Sequence, residues 1–561
     1  EISECLVGSE MCIRDRYKHL NNTRKMKKLF TYVLMLCASL SVSVAQQIQY
    51  PEPILNPESC TSIMVGKKAS ADGSVMTSHT CDSNYRTWMD IVPSASYDHD
   101  TTTTVYTGRM HTEYAEGTRG MIAKGTLPEA RSTYQFLNTA YPCLNEKQLG
   151  IGETTITGRK ALVNKKGMFM IEELQRIVLQ RCTTARDAIR VMGELIEKYG
   201  YGDWGECLTI ADPKEVWHFE VFGEGPDKIG GVWAAIRIPD DHVGVSANIP
   251  RISKVDPKDT DNCMASANVF EVAKRMGFWD GKKPFRFWEA YGGGNYSGEM
   301  KSFSIREFFI LNKLAPSLRL SYDAEELPIS VKPDRQVSVT DVMALLSETY
   351  EGTEYDMTQN LKVAVKKKDS NETDTVISPV ANPWMTRDMV NMLNGLKPDA
   401  VKSYRLVAVP QCSYSTVIQL RDWLPNAVGG VVWMAYDNPG QSPRIPIFCG
   451  TKDLPACFKV CGQHRYREDA AVWAFRRANK LATVRWGATK DRMKASIAHF
   501  TEKGQTELPF VESRYKEILT QQGEEAAKEY LTGYTADFAG ATMLRWREMG
   551  DSFWTQFERG F

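Results

Sequence analysis

Excess charge of either sign is missing from this sequence. Lysine plus arginine and aspartate plus glutamate each number 69, so the formal net charge is zero. No basic tract interleaved with aromatics occurs. Nucleic acid and an anionic membrane surface are therefore not expected partners. The familiar catalytic signatures are missing too: no Gly-x-Ser-x-Gly, no Walker loop and no His-Glu-x-x-His. Histidine is scarce, with eight in the chain. Cys457-x-x-x-Cys461-x-x-His464 is the nearest approach to a metal motif, but no fourth ligand is evident and structural zinc takes four. No metal or organic cofactor is expected. Internal repeats, low-complexity tracts and a clear linker are also lacking. With 42% of 561 residues hydrophobic, the chain can bury a large core. The simplest reading is one large domain with helical additions toward the C-terminus.

The first 59 residues read differently from the rest. Residues 1–25 precede a plausible start methionine and carry no signal; their run from Cys5 to Arg16 resembles read-through of a sequencing adapter, so a non-native extension is expected. Met26-Lys27-Lys28, the apolar Leu29 to Val44 and the small residues of Ser43-Val44-Ala45 have the build of a secretory signal cleaved after Ala45. The apolar run, about 16 residues, is short for a spanning helix, which sets aside the alternative of a membrane anchor. Export to the periplasm or the extracellular space follows, without stable membrane insertion. Residues 46–59 are polar and carry Pro51, Pro53 and Pro57, so they read as extended chain. Of thirteen cysteines, ten lie at or beyond Cys60. An oxidising compartment permits disulfides among them, but no pairing can be deduced.

From Cys60 onward the pattern becomes that of a folded domain. Thr61 to Val65 alternates as a strand, Ala71-Asp72-Gly73-Ser74 signals a turn, and Val75 to Ser78 completes a hairpin. Thr184-Ala185-Arg186-Asp187 starts a helix in capping-box fashion. Its stripe runs through Ala188, Ile189, Met192, Leu195, Ile196 and Tyr199 and ends at Gly200. The period then switches to two. Leu208 to Ala211, Val216 to Phe222, Val232 to Ile238 and Val243 to Asn248 read as strands joined by tight turns, an antiparallel α+β layout. Arg465 to Ala482 and Glu512 through Tyr530 read as helices. Gly292-Gly293-Gly294 and the run Lys366 to Asp369 read as loops.

The chemically informative stretch is Cys60-Thr61-Ser62-Ile63-Met64-Val65-Gly66-Lys67, followed by Asp72-Gly73-Ser74. It resembles the mature start of dipeptidase A-type enzymes, which group with penicillin V acylase and choloylglycine hydrolase among the cysteine N-terminal-nucleophile hydrolases. The likeness continues through Leu144-Asn145-Glu146, Ile151-Gly152-Glu153-Thr154-Thr155, Thr184-Ala185-Arg186, Ala211-Asp212-Pro213, Glu215-Val216-Trp217, Pro239-Asp240-Asp241 and Asn248. It covers about residues 60–255 well and thins near Trp433 and Pro446. The resemblance implies a four-layer αββα sandwich of two antiparallel sheets, with residues 60–561 as the hydrolase domain, residues 46–59 as a propeptide and Ser59–Cys60 as the processing site. It implies small peptides as substrates, no cofactor and Cys60 as nucleophile; subunit number is left open, a homo-oligomer among the options.

Elementary chemistry supports such a site. A thiol ionises near pH 8.5 and gains from a base, and an α-amino group, with a reference pKa of about 7.7 to 8.0, is one of the few groups poised to serve. That amine does not exist while Ser59 is joined to Cys60, so cleavage would be obligatory activation. Read without the resemblance, Cys60 could equally be a buried structural thiol or half of a disulfide. By resemblance Asp82 holds the new amine, though alone it reads as a turn cap. Relatives often carry an arginine three residues before this aspartate, where this chain has His79, which could share the substrate-binding role. Asn145 and Asn248 match the asparagines that frame the site, one of them serving the oxyanion. Arg251 could clamp a substrate carboxylate or form a surface salt bridge. Two rival functions stay open at this point: hydrolysis of other amides, such as bile-acid conjugates or acyl-lactones, and a secreted binding protein that has lost the chemistry.

Overall fold

The computed structural model describes residues 59–115, 117–294, 300–367 and 371–559. The expected extension, signal and all of the expected propeptide before Ser59 lie outside the described residues, as do Lys368 and Asp369. The described chain is mixed α/β with antiparallel sheets. One seven-stranded sheet runs in the order Ser330–Val331, Val243–Ser246, Ser62–Val65, Val75–Cys81, Tyr414–Leu420, Val431–Tyr436, Ile445–Phe448. An eight-stranded sheet runs Cys263–Ala265, Gly231–Ile238, Val216–Gly223, Glu206–Ala211, Gly150–Thr155, Leu144–Asn145, Phe136–Asn138, Asp90–Val92. The hairpin expected at the head of the domain is present, with Val65 opposite Met76, and the first strand also pairs Ser62 with Ser246.

These two sheets face each other through paired hydroxyls. Ser62 and Thr209 approach to 2.7 Å, Thr77 and Thr209 to 2.6 Å, and Thr154 and Ser246 to 2.6 Å. A buried hydroxyl without a partner costs free energy, so this polar seam fixes how the sheets stack. Gly152 sits where they come closest: a Cβ there would collide with the Ser78 carbonyl and the Ser62 and Thr209 hydroxyls. Strand Val75–Cys81 is buried along its whole length, so its polar residues must be satisfied inside the protein.

The helix expected after Thr184 spans Ala185–Tyr199 and packs on the eight-stranded sheet. The Thr184 hydroxyl accepts the Asp187 N–H at 3.2 Å, and Gly200 ends the helix at φ 83°. Asp212, in the turn of the following hairpin, accepts the N–H groups of Ala185, Lys214 and Glu215 and so joins turn to helix. On the seven-stranded sheet lie helices Ala471–Val484 and Glu524–Gln556, with Trp486–Gln522 packed against them. Two boundaries differ from expectation. The first of these helices begins at Ala471 instead of Arg465, because the Trp473 indole N–H donates to the Gly462 and Arg465 carbonyls and holds that segment as a loop. The stretch from Glu512 through Tyr530 is divided at Gly523, whose φ of 89° suits glycine and lets the chain reverse.

Candidate active site

Cys60 lies two residues before the first strand, and every polar atom of its backbone is held. Its N–H donates to Asn248 Oδ1 at 2.9 Å, and its carbonyl accepts from Arg306 Nη1 at 2.7 Å. Next along the chain, the Thr61 N–H donates to the Thr80 hydroxyl at 2.8 Å and the Thr80 N–H to the Thr61 carbonyl at 3.0 Å. Asn248 has φ 65°, a left-handed backbone that asparagine tolerates better than most residues. Its Nδ2 donates to the Thr155 carbonyl at 2.7 Å, which turns Oδ1 toward Cys60.

Arg306 also belongs to this setting, and sequence reasoning missed it. It lies in the first turn of helix Ile305–Leu314, behind a capping box formed by Ser304 and Glu307. Besides Cys60, its guanidinium reaches the Thr61 hydroxyl, the Ala247 carbonyl and Asn248 Oδ1. Burial and the neighbouring Arg405 pull it down to about 10, which still leaves it cationic at neutral pH. The capping box is legible in the sequence; nothing local says that its arginine would reach back to Cys60.

The thiol belongs to a buried trio. Ligand-type atoms of Cys60, His79 and Glu153 all lie within 4.8 Å of one another. His79 Nε2 and Glu153 Oε2 are 3.2 Å apart, and neither makes a hydrogen bond of good geometry. Edge contacts with Tyr141 at 5.5 Å and Tyr414 at 5.7 Å hold the imidazole ring. Burial raises the Cys60 thiol well above its ordinary value, and Glu153, Cys81 and Asp82 push the same way, against the Asp82 backbone N–H that lies beside the sulfur. The thiol therefore rests protonated and needs a base. Three donors suffice in number for an open zinc site, but a metal would first have to displace that proton. Cys457, Cys461 and His464 do not come together as a comparable group; Cys457 instead contacts the Met543 sulfur.

A second charged set also lies close to Cys60. Asp82 Oδ2 accepts the Thr80 hydroxyl at 2.8 Å and Arg405 Nη2 at 2.9 Å. The same Arg405 nitrogen reaches Ser59 twice, at 2.7 Å to its hydroxyl and 3.2 Å to its carbonyl oxygen. Asp82 Oδ1 is buried and takes no N–H or O–H donor, with the Cys412 thiol alongside the carboxylate. Arg405 was not anticipated either.

The structure thus gathers Ser59, Cys60, His79, Asp82 and Asn248 into one place. It does not bring Asn145 or Arg251 there. Asn145 Nδ2 donates to the Leu179 and Cys182 carbonyls at the end of helix Ile171–Arg181, and Oδ1 accepts the Lys147 and Leu149 N–H groups. Those four bonds exhaust an amide. Arg251 is buried and donates to the Ser302 and Pro328 carbonyls, where it ties loops together. No disulfide joins any of the ten cysteines among the described residues.

Residues 59–499 match the family model described as peptidase family C69. A "Probable dipeptidase" of Latilactobacillus sakei is 24% identical over 481 residues, 84% of this chain and 92% of that protein. One of Salmonella dublin is 26% identical over 412 residues, 70% of this chain and 81% of the relative. A "Probable dipeptidase A" of Streptococcus pyogenes is 22% identical over 498 residues, covering 85% and 93%.

Proposed function

Because the chain belongs to peptidase family C69, we propose that it is an exported cysteine dipeptidase whose nucleophile, Cys60, becomes the first residue when the segment ending at Ser59 is removed. The dipeptidase names of the relatives support the substrate class. The observation that carries the reading is the setting of the Cys60 nitrogen. It already rests on Asn248 Oδ1, beside Asp82, whose buried Oδ1 awaits a donor. A newly released amine there gains a carboxylate and an amide oxygen to orient it.

In turnover the amine takes the thiol proton and the sulfur attacks the peptide carbonyl. The Asp82 backbone N–H, beside the sulfur, donates to the developing oxyanion. The amine passes the proton to the leaving group, and water then hydrolyses the thioester. Arg306 holds the Cys60 carbonyl and Asn248 together, so the amine cannot swing away from its own thiol. The geometry favours Asn248 over Asn145 for a role at this centre. The stacked antiparallel sheets, with helices against each, support assignment to the four-layer αββα architecture of N-terminal-nucleophile hydrolases. The Met26 to Ala45 pattern supports export.

N-terminal sequencing of the secreted protein, run beside a dipeptide panel, tests this. The active chain is expected to begin at Cys60, and Cys60→Ser is expected to keep Ser59 attached and to lose hydrolysis by at least about 10³-fold. An active chain that begins near Gln46 sinks the reading.

A further inference from the structure

Turnover and maturation pose different problems at the same sulfur. The α-amine that serves turnover is, before cleavage, an amide nitrogen with no basicity. Something else must take the thiol proton if Cys60 is to cut its own bond to Ser59. Asp82 keeps Oδ1 open for the amine that cleavage releases, while its Oδ2 is engaged by Arg405 and Thr80. Also close to the thiol are an imidazole and a carboxylate, both buried, whose His79 Nε2 and Glu153 Oε2 lie 3.2 Å apart without a hydrogen bond of good geometry.

We infer that the chain cleaves itself, with the His79–Glu153 pair as the base of that step and Arg405 as the cation that receives the oxyanion of Ser59. This rests on the reading of Cys60 as an N-terminal nucleophile. The thiol proton passes to His79, and the sulfur adds to the Ser59 carbonyl carbon. The carbonyl electron pair moves to the oxygen, 3.2 Å from Arg405 Nη2. Collapse breaks the carbon–nitrogen bond; the imidazolium returns its proton to the departing Cys60 nitrogen, which becomes the α-amine. Ser59 is then a thioester on Cys60. Water, deprotonated by the new amine, releases the Ser59 carboxylate and restores the thiol. Glu153, reached from the facing sheet, stabilises the imidazolium in between. The pair acts once in the life of the molecule, and the base it creates takes over.

The full chain with His79→Gln tests this. Conversion is followed by intact mass, the matured fraction is counted through condensation of its N-terminal cysteine with an aldehyde, and folding is checked by thermal melting. Maturation is expected to slow by 10² to 10⁴-fold, the range a general base supplies. Turnover per N-terminal cysteine is expected to fall by a smaller factor than maturation, because the amine is its base. Glu153→Gln is expected to act in the same direction and stands in where His79→Gln does not fold. Maturation of both variants at the wild-type rate overturns the inference. So does an equal loss of maturation and turnover, or unfolding of both variants, since each would make the pair structural. A wild-type enzyme active with Ser59 still attached sinks the underlying reading instead.

Discussion

The protein contains two buried trios built from the same three residue types, and they do opposite things. Cys60, His79 and Glu153 meet across the two facing sheets. Cys207, His218 and Glu220 sit within one hairpin of the eight-stranded sheet, where Cys207 is directly opposite Glu220. In the hairpin trio His218 Nε2 lies 2.7 Å from Glu220 Oε1, and that oxygen also accepts the Arg251 and Ile252 N–H groups. Burial works against a charge on His218, but Cys207 and Glu220 outweigh it and carry the ring up to about 10. That imidazole is already protonated at neutral pH and has nothing to accept. Around Cys60 the corresponding atoms are not committed, and beside the sulfur stands a carbonyl with Arg405 on its oxygen. Residue type does not separate the two sites; an available electrophile and an uncommitted base do.

The contrast is sharpest under removal of each sulfur. Cys60→Ala is expected to lower dipeptide hydrolysis by at least about 10⁴-fold and to leave Ser59 attached, in line with the loss of a nucleophile elsewhere. Cys207→Ala removes a similar buried thiol, at a cost of order 1 kcal/mol in stability, and is expected to change kcat/KM by less than about 3-fold. Loss of activity in the Cys207 variant with unchanged melting and unchanged processing would erase the distinction.

Much of this was legible because it is local. A strand over Thr61 to Val65, the hairpin it opens and the capped helix Ala185–Tyr199 follow from patterns of a few residues, and all three are present, the strand from Ser62. Asp82 and Asn248 are also indicated, both by resemblance. What escaped is what only folding brings together. Arg306 lies 246 residues from Cys60, and Arg405 lies 346 residues from Ser59. Neither stands in a motif that points to chemistry. Glu153 was visible inside a matched stretch, yet its approach to His79 depends on how two sheets stack. Asn145 misled for the converse reason: an asparagine in a suggestive place was spent on the end of a helix.

Breaking the hairpin trio at its acid should read out in stability and not in catalysis. Glu220→Gln leaves a protonated His218 without its counter-charge inside the protein, and removal of one member of a buried ion pair costs about 3–5 kcal/mol. Unfolding entropy of about 2.1 cal/mol/K per residue, over roughly 500 residues, converts this to a fall in melting temperature of about 3–5 °C. Thermal scans of the matured variant beside its kcat/KM check both halves. A variant that melts normally and turns over slowly would place the hairpin trio in the active centre.

A finer effect is expected from pH. The His218 ring is about 10 in the folded protein and about 6.5 in an unfolded chain, so the fold binds the proton more tightly. Stability from this group is fully present below about pH 6.5, declines as pH rises, and is gone above about pH 10. Other groups titrate in that window, so the useful quantity is a difference. His218→Gln removes the titration and leaves the rest in place. The gap in melting temperature between wild type and His218→Gln is expected to narrow by about 4–5 °C between pH 6.5 and 10. A gap that stays constant would mean that His218 is neutral in the fold.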